Sequence, residues 1–432
     1  MSVKQESASI TPSANSLTPD QIKAADRLYE EDATILVAET GVGKTVIALT
    51  AIHDLIRDGI LSRVIVAAPP KVLANEVWVK EVGKWEHLKG LRVVQLEGSV
   101  QERKAILDCE RNVGQVLMVS LNNLQWLLNQ DHCCTGIIID ELSKAAGKQT
   151  AGLKSKKLSG MLKYRVGMTA TPVSQNFEKF WAICRIIDNG AALGKNKSHY
   201  MADHFYSDYM GYNWTLKDGA DELIMEKTAS LVHLVADDKA KTLPPLREEV
   251  IRFDLSDGTR EKYEEMKKHM VVDDVEAANQ AVKSGKLRQL ASGFLYAGNH
   301  DRSTEHYALE RLFVVQKWAR NLKGKPGLVF YEFIQQAEWA DAMPENITFV
   351  QIASMSHGVD GLQHTFSDVL FLQPCWSRDQ HQQAIGRVWR QGQTKPVTVT
   401  TLISNDTLDD VVVARVEGNA RWMELFKQHL KG

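Results

Sequence analysis

Between an apolar run, Thr34 to Ala38, and a helical pattern, Lys44 to Arg57, stands Glu39-Thr40-Gly41-Val42-Gly43-Lys44-Thr45. A strand that turns through glycines into a helix opening on Lys-Thr leaves few folds available. The strand belongs in a covered sheet, and the helix aims its positive N-terminus at whatever sits above the sheet edge. Gly41 and Gly43 accept backbone angles that point successive N–H groups inward. Thr40, Gly41, Val42 and Gly43 therefore form a cradle for phosphates. Lys44 is placed to reach the β- and γ-phosphates of ATP, and the Thr45 hydroxyl to bind Mg²⁺. Ala38 stands where the general pattern has its first glycine.

The rest of the chain supports a sheet of that kind. From Leu17 to Asp188, short apolar runs alternate with amphipathic stretches. Arg63 to Ala68, Val116 to Ser120, Gly136 to Asp140 and Tyr164 to Met168 read as strands. Strands that are apolar throughout and spaced by helices indicate a parallel sheet covered on both faces. Gly190 to Leu243 is helical and irregular, and Leu243-Pro244-Pro245 is the best linker. A second alternating region follows. Strands are expected at Val250 to Leu255, Gly327 to Tyr331, Asp368 to Leu372 and Val397 to Leu402. Helices are expected at Thr259 to Met270, Lys286 to Leu295, His306 to Leu322 and from Leu408 onward. The expected fold is α/β: two parallel-sheet domains in tandem with helical insertions. The expected division is a disordered tail (1–16), a nucleotide-binding domain (17–245) and a second domain (246–432).

Three further groups carry chemistry. Ile137-Ile138-Ile139-Asp140-Glu141 is an apolar strand ending in two carboxylates. Asp140 suits the Mg²⁺ shell, and Glu141 suits positioning or deprotonating an attacking water. Gln21 follows Leu17-Thr18-Pro19-Asp20. Its amide can pair with an adenine edge, while Thr18 and Pro19 can open a helix. In the second half, Gln383, Arg387 and Arg390 fall at i, i+4 and i+7, on one face of a helix. Two guanidiniums brought to a triphosphate from another domain would stabilise charge as phosphoryl transfer proceeds. An NTPase whose phosphate loop and arginines lie in different halves works by closing them.

Composition narrows the class. The chain has 432 residues, 25% of them charged, with a net charge of −2, so no global basic field advertises a nucleic-acid partner. No apolar run approaches the ~20 residues of a membrane span. The N-terminus lacks an apolar signal core. The five cysteines, Cys109, Cys133, Cys134, Cys184 and Cys375, form no CxxC pair and are expected to be core thiols of a reducing cytoplasm.

These motifs, with several more in order, resemble the Swi/Snf-like branch of superfamily-two helicases and DNA translocases. The resemblance runs over residues 17–415. It takes in Ala68-Pro69-Pro70-Lys71 with Trp78, Glu81 and Trp85, then Val119-Ser120-Leu121 and Asp140-Glu141. It continues through Met168-Thr169-Ala170-Thr171-Pro172, Leu243-Pro244-Pro245, Leu287-Arg288-Gln289 and Gly327 to Tyr331, and ends in Trp376 to Gln393. It implies RecA-like domains with the ATP cleft between them, and a coupling role for Thr169 and Thr171. The chain departs from the family at Ala170, usually Gly; at Leu142-Ser143, where the family has Ala/Gly-His; and in the glycine spacing of Ser354 to Gln363. Its compactness resembles bacterial or bacteriophage members, which implies a bacterial or phage-infected cytoplasm.

Lys144 to Arg165 carries seven basic residues, Lys154, Lys156 and Lys157 among them, and no acidic one. The run reads either as a solvated face or as a contact that follows DNA phosphates. The resemblance places phosphate contacts at Lys71, Ser120, Asn122 and Ser354 or Ser356. No base-reading element is evident, so contacts with DNA are expected to be sequence-independent. The expected activity is that of a monomeric ATP-dependent DNA translocase acting on duplex DNA. The alternatives are a strand-separating or branch-migrating helicase, a packaging-type ATPase, and a non-catalytic DNA-binding scaffold.

Overall fold

The computed structural model describes residues 13–39, 41–109, 115–145, 153, 160–170, 172, 177–207, 214–235, 243–272, 275–276, 280–296, 304–353, 361–376 and 378–414. The chain forms two compact units that divide between residues 238 and 239.

The first unit is built on β1 (Ala33–Val37), β2 (Val64–Ala68), β3 (Val93–Gln95), β4 (Val116–Ser120), β5 (Gly136–Asp140) and β6 (Tyr164–Thr169). A small antiparallel hairpin follows, β7 (Phe205–Ser207) with β8 (Trp214–Leu216), and β9 (Val232–Leu234) completes the sheet. The order is β3-β4-β2-β5-β6-β1-β9, and every pairing is parallel. Strands β2, β4 and β5 are buried along their whole length. Alternation explains why they are apolar throughout. Ile35, Val37, Ile65, Ala67, Ile137 and Ile139 feed one core, while Leu36, Ala38, Val64, Val66 and Ile138 feed the other. The Lys44–Arg57 helix closes the second face with Val46, Ile47, Leu49, Ile52 and Leu55. Each large apolar side chain buried this way contributes roughly 1.5–3 kcal/mol.

The second unit has β10 (Leu246–Phe253), two short antiparallel pairs, β11 (Val271–Val272) with β12 (Val275–Glu276) and β13 (Phe294–Tyr296) with β14 (Thr304–His306), then β15 (Gly327–Tyr331), β16 (Ile347–Gln351), β17 (Asp368–Phe371) and β18 (Val397–Ser404). Its five-stranded sheet runs β10-β18-β17-β15-β16, again parallel. Leu328, Phe330, Val369 and Phe371 face the Arg378–Val388 helix, which packs through Ala384, Ile385 and Val388. Val329 and Leu370 face the other way, toward Leu312, Val315 and Trp318 of the Glu310–Asn321 helix.

The α/β class and parallel sheets agree with the sequence expectation, and the Lys44–Arg57 helix and strands β4, β5 and β15 have the expected bounds. Other expectations are corrected. The helix expected over Lys286 to Leu295 is Gln280–Ala291, and that expected from His306 begins at Glu310. Gly293 explains the difference. It turns with φ +89°, and a Cβ there would lie 2.1 Å from the Ala308 carbonyl oxygen. The chain therefore leaves the helix and pairs β13 with β14 instead. Strands β3, β9 and β16 are not legible in the sequence, because all three are only partly buried and β3 and β9 have just three residues each. Cys109 and Cys133 are exposed, not core thiols; Cys134, Cys184 and Cys375 are buried, and all five are free. Of the tail expected at 1–16, residues 1–12 lie outside the described set and Ala14–Ser16 form a 3-10 turn. Residues 408–414 are helical, and the rest of the expected closing helix lies outside the described residues. Among the described residues no helix is long and apolar enough to cross a membrane.

Candidate active site

In the first sheet β1, β6 and β5 are neighbours, so their carboxyl ends emerge side by side. The register puts Val37 beside Thr169 and Asp140 beside Met168. The Ala38 N–H donates to the Thr169 carbonyl (3.1 Å), so the phosphate loop and the Met168-Thr169-Ala170 segment leave the sheet tied together. Thr169 is buried. Thr171 and Thr40 lie outside the described residues.

The loop has the conformation its glycines allow. Gly41 and Gly43 have φ +88° and +93°. Gly43 caps the Lys44–Arg57 helix in the left-handed region, and the Ile47 N–H donates to its carbonyl (3.1 Å). A Cβ at Gly43 would also meet the Gln21 Nε2 at 2.6 Å, so only glycine fits. Val42 is buried. The Lys44 ammonium donates to the Ala38 and Glu39 carbonyls (2.8 and 3.1 Å), and Thr45 follows in the helix's first turn.

Gln21 is buried at the start of the Pro19–Glu30 helix. Its Oε1 accepts from the Thr18 N–H (2.9 Å), and its own N–H donates to Thr18 Oγ1 (3.3 Å). This is a reciprocal capping box. Its Nε2 donates to the Val42 carbonyl (2.8 Å). One amide thus holds the helix start and the phosphate loop together.

Asp140 is the last residue of β5 and is buried. Burial pushes its carboxyl up to about 6, and the Glu141 carboxylate pushes the same way; Lys44 and the Trp78 N–H act against them. Trp78 is fully buried, and its indole Nε1 donates to Asp140 Oδ2 at 3.4 Å. Trp78 stands in the resemblance, but nothing in the sequence pairs it with Asp140. Glu141 has φ 58°, an uncommon conformation for a non-glycine residue and one that clusters at functional sites.

Strands β2 and β4 end at the same edge, with Ala68 beside Ser120. Lys71 stands in the Pro70–Ala74 helix just past β2, half-buried. Ser120 is buried, and Asn122 is exposed in the Leu121–Asn123 turn. In the basic run, Lys154, Lys156 and Lys157 lie outside the described residues, as do Ser354 and Ser356. Arg165 is removed from any surface role. It is buried in β6, and its guanidinium donates to the Leu162, Leu153 and Ile186 carbonyls.

In the second unit, Gln383 and Arg387 share one face of the Arg378–Val388 helix, half-buried. Arg390 does not continue that face, because the helix stops at Val388. Gln393 folds back and its amide donates to the Val388 and Phe366 carbonyls, while the Trp389 indole donates to the Pro244 carbonyl (2.7 Å). The bond to the Val388 carbonyl supplies one acceptor at the helix end with the partner a further turn would have provided.

Among the described residues no group of three or more His, Cys, Asp or Glu is arranged to hold a metal alone. Thr45 and Asp140 supply hard oxygen donors, and the Asp140 carboxyl is one whose charge burial disfavours. That set fits Mg²⁺, which takes one or two protein ligands and completes its shell with substrate phosphates and water.

The chain is similar to several known proteins. Residues 21–305, more than half the chain, match the SNF2-related domain. A putative protein, p41, of Acyrthosiphon pisum secondary endosymbiont phage 1 is 26% identical over 438 residues, covering 91% of this chain and 94% of its own. The human SWI/SNF-related matrix-associated actin-dependent regulator of chromatin subfamily A member 1 is 24% identical, over 90% of this chain but 41% of its own length. A RAD54-like DNA repair and recombination protein of Drosophila ananassae is 22% identical, over 93% of this chain and 61% of its own. The chain thus spans less than two thirds of these two longer relatives. Among solved structures, a Sulfolobus solfataricus SWI2/SNF2 ATPase core in complex with double-stranded DNA matches at TM-score 0.45 and 18% identity, covering 92% of this chain and 90% of that one. The chain belongs to the SNF2-related family and carries its ATP-hydrolysing core.

Proposed function

We propose that this protein is an ATP-dependent DNA translocase. The observation that carries the reading is the convergence, at one sheet edge, of the phosphate loop, Thr169, Asp140 and Glu141, with Lys71 and Ser120 along the same edge. Gly41, Val42, Gly43, Lys44 and Thr45 bind the triphosphate and Gln21 the adenine edge. Glu141 orients the attacking water, and Gln383, Arg387 and Arg390 of the second unit complete the site when the units close. Mg²⁺ would be held by Thr45 and Asp140 and would neutralise charge on the phosphates. Thr169, at the strand exit shared with the phosphate loop, and Thr171 couple the nucleotide state to the grip on DNA. Lys71, Ser120, Ser354, Ser356 and the Lys154–Lys157 run contact its backbone.

The test is the ATPase rate with no nucleic acid, single-stranded DNA, duplex DNA and RNA at one low salt concentration, followed by triplex displacement. Strong stimulation by duplex DNA with displacement of the third strand is the expected result. Stimulation by RNA alone would overturn it. One feature favours a second reading, a strand-separating helicase. The β7–β8 hairpin exposes Tyr206 (63%) and Trp214 (41%), and cross-strand register places them on opposite faces. Aromatic rings so placed can stack on unpaired bases. Stimulation by single strands only would favour that reading.

A further inference from the structure

Arg288 is 2% exposed, a charge inside the second unit. It lies near the end of the Gln280–Ala291 helix. Burying a guanidinium is costly; two of its nitrogens have specific partners, while Nε has no hydrogen-bond partner among the described residues. One nitrogen donates to Glu332 (3.0 Å to Oε1), just past β15. Another donates to the Pro374 carbonyl (2.6 Å), just past β17. The guanidinium also lies over the Trp376 ring, 4.9 Å from its centroid. The Glu332 carboxylate is itself held. Gln373 Nε2 donates to Glu332 (2.8 Å), and Gln373 Oε1 accepts from Ser292 Oγ (3.0 Å) and Gln336 Nε2 (2.9 Å).

The segment clamped in this way leads straight to the helix that begins at Arg378. Two arginines grip its carbonyls in succession, Arg311 at Leu372 and Arg288 at Pro374. Core filling alone does not require such an arrangement. Trp376 is 37% exposed, so stacking on it buries little area but fixes the direction of the turn. A lysine could not replace the arginine, since one ammonium cannot both fork to two acceptors and lie flat on a ring.

We propose that Arg288 is a positioning residue: by clamping the Pro374–Trp376 turn it sets the placement of the Arg378–Val388 helix, and through it the action of Arg387 on the nucleotide. This rests on the proposed role of Arg387 in hydrolysis.

The test is a double-mutant cycle in the full chain, read as DNA-stimulated kcat and ATP KM, for Arg288→Met, Arg387→Ala and the pair. Arg387→Ala alone should lower kcat about 100-fold or more. Arg288→Met should lower kcat about tenfold or more with KM within about twofold, and the pair should be no slower than Arg387→Ala. Arg288→Lys should recover only part of the loss. If Arg387→Ala has wild-type kcat, the role of Arg387 fails and the proposal falls with it. If Arg387→Ala is slow but the two losses multiply, or Arg288→Met is wild-type, the positioning role alone is overturned. Should Arg288→Met not fold, Trp376→Leu, on the exposed side of the stack, takes its place in the cycle with the same expectations.

Discussion

The carboxyl edges of the two sheets hold their functional groups in different ways. In the first unit the central strands are mostly apolar until their last residue, and the groups that matter stand at or just past those ends: the loop after Val37, Ser120, Thr169 and Asp140. In the second unit the equivalent region is polar inside. Arg288, Ser292, Arg311, Gln336, Gln373, Ser404 and Asp409 are all buried. The first edge is positioned mainly by the strand register, with single side-chain ties from Gln21 to Val42 and from Trp78 to Asp140. The second is positioned by side-chain bonds between segments far apart in sequence. A parallel sheet with one amide tie places the phosphate loop; the seat of the arginine helix rests on a network of ties that must all be satisfied at once.

The largest expected effect tests the first half of that contrast. Lys44→Ala should cut ATP hydrolysis on the order of 100-fold or more while far-UV circular dichroism stays that of the wild type. Retained turnover would remove the loop from the chemistry. The next effect is on stability in the second unit. The Arg311 guanidinium donates to Asp409 Oδ2 (2.7 Å), with both side chains almost fully buried. Arg311→Met would leave the carboxylate unpaired and should cost about 3–5 kcal/mol in urea unfolding, with much of it recovered on adding Asp409→Asn. A loss under about 1 kcal/mol would mean the polar interior is not what holds that unit.

A smaller effect, of opposite sign, is expected at Asp140. Its carboxyl titrates at about 6 in the fold, above the ordinary carboxylate value of 3.8. Below about pH 4 both folded and unfolded states are protonated and the group is neutral to stability. As pH rises through about 6 the folded state must carry a buried charge, so stability is lost. Asp140→Asn should therefore stabilise the protein at about pH 8 by on the order of 1–3 kcal/mol, shrinking toward nothing by about pH 4, while abolishing hydrolysis. A gain independent of pH would mean that it does not come from relieving a buried charge. The smallest effect is at Gln21. Gln21→Ala should cost about 1 kcal/mol in thermal unfolding, through the lost cap, and raise the ATP KM. An unchanged KM would separate the cap from the nucleotide.

The contrast also explains which parts of the molecule are legible in its sequence. Asp140 and Glu141 are legible because they end an apolar run that reads as a buried strand, and Gly43 and Lys44 because they lie between such a run and a helical pattern. Arg387 is legible as part of a helical spacing, but that spacing misplaces Arg390. The helix stops at Val388 because Gln393 and Trp389 reach the Phe366 and Pro244 carbonyls, and no local pattern encodes those bonds. The clamp of Arg288 on Pro374 spans 86 positions, and Trp78 reaches Asp140 across 62. Arg165 shows the converse failure. Within a run of basic residues it looks like surface, yet three carbonyls hold it in the core.

The Leu243-Pro244-Pro245 segment reads as a linker in the sequence, yet it is anchored. The Pro244 carbonyl holds the Trp389 indole, and the Pro245 carbonyl takes the Val397 N–H (2.9 Å) as β18 begins beside β10. A spacer or fusion inserted at these prolines would therefore pull on the seat of the arginine helix and on the edge of a sheet together.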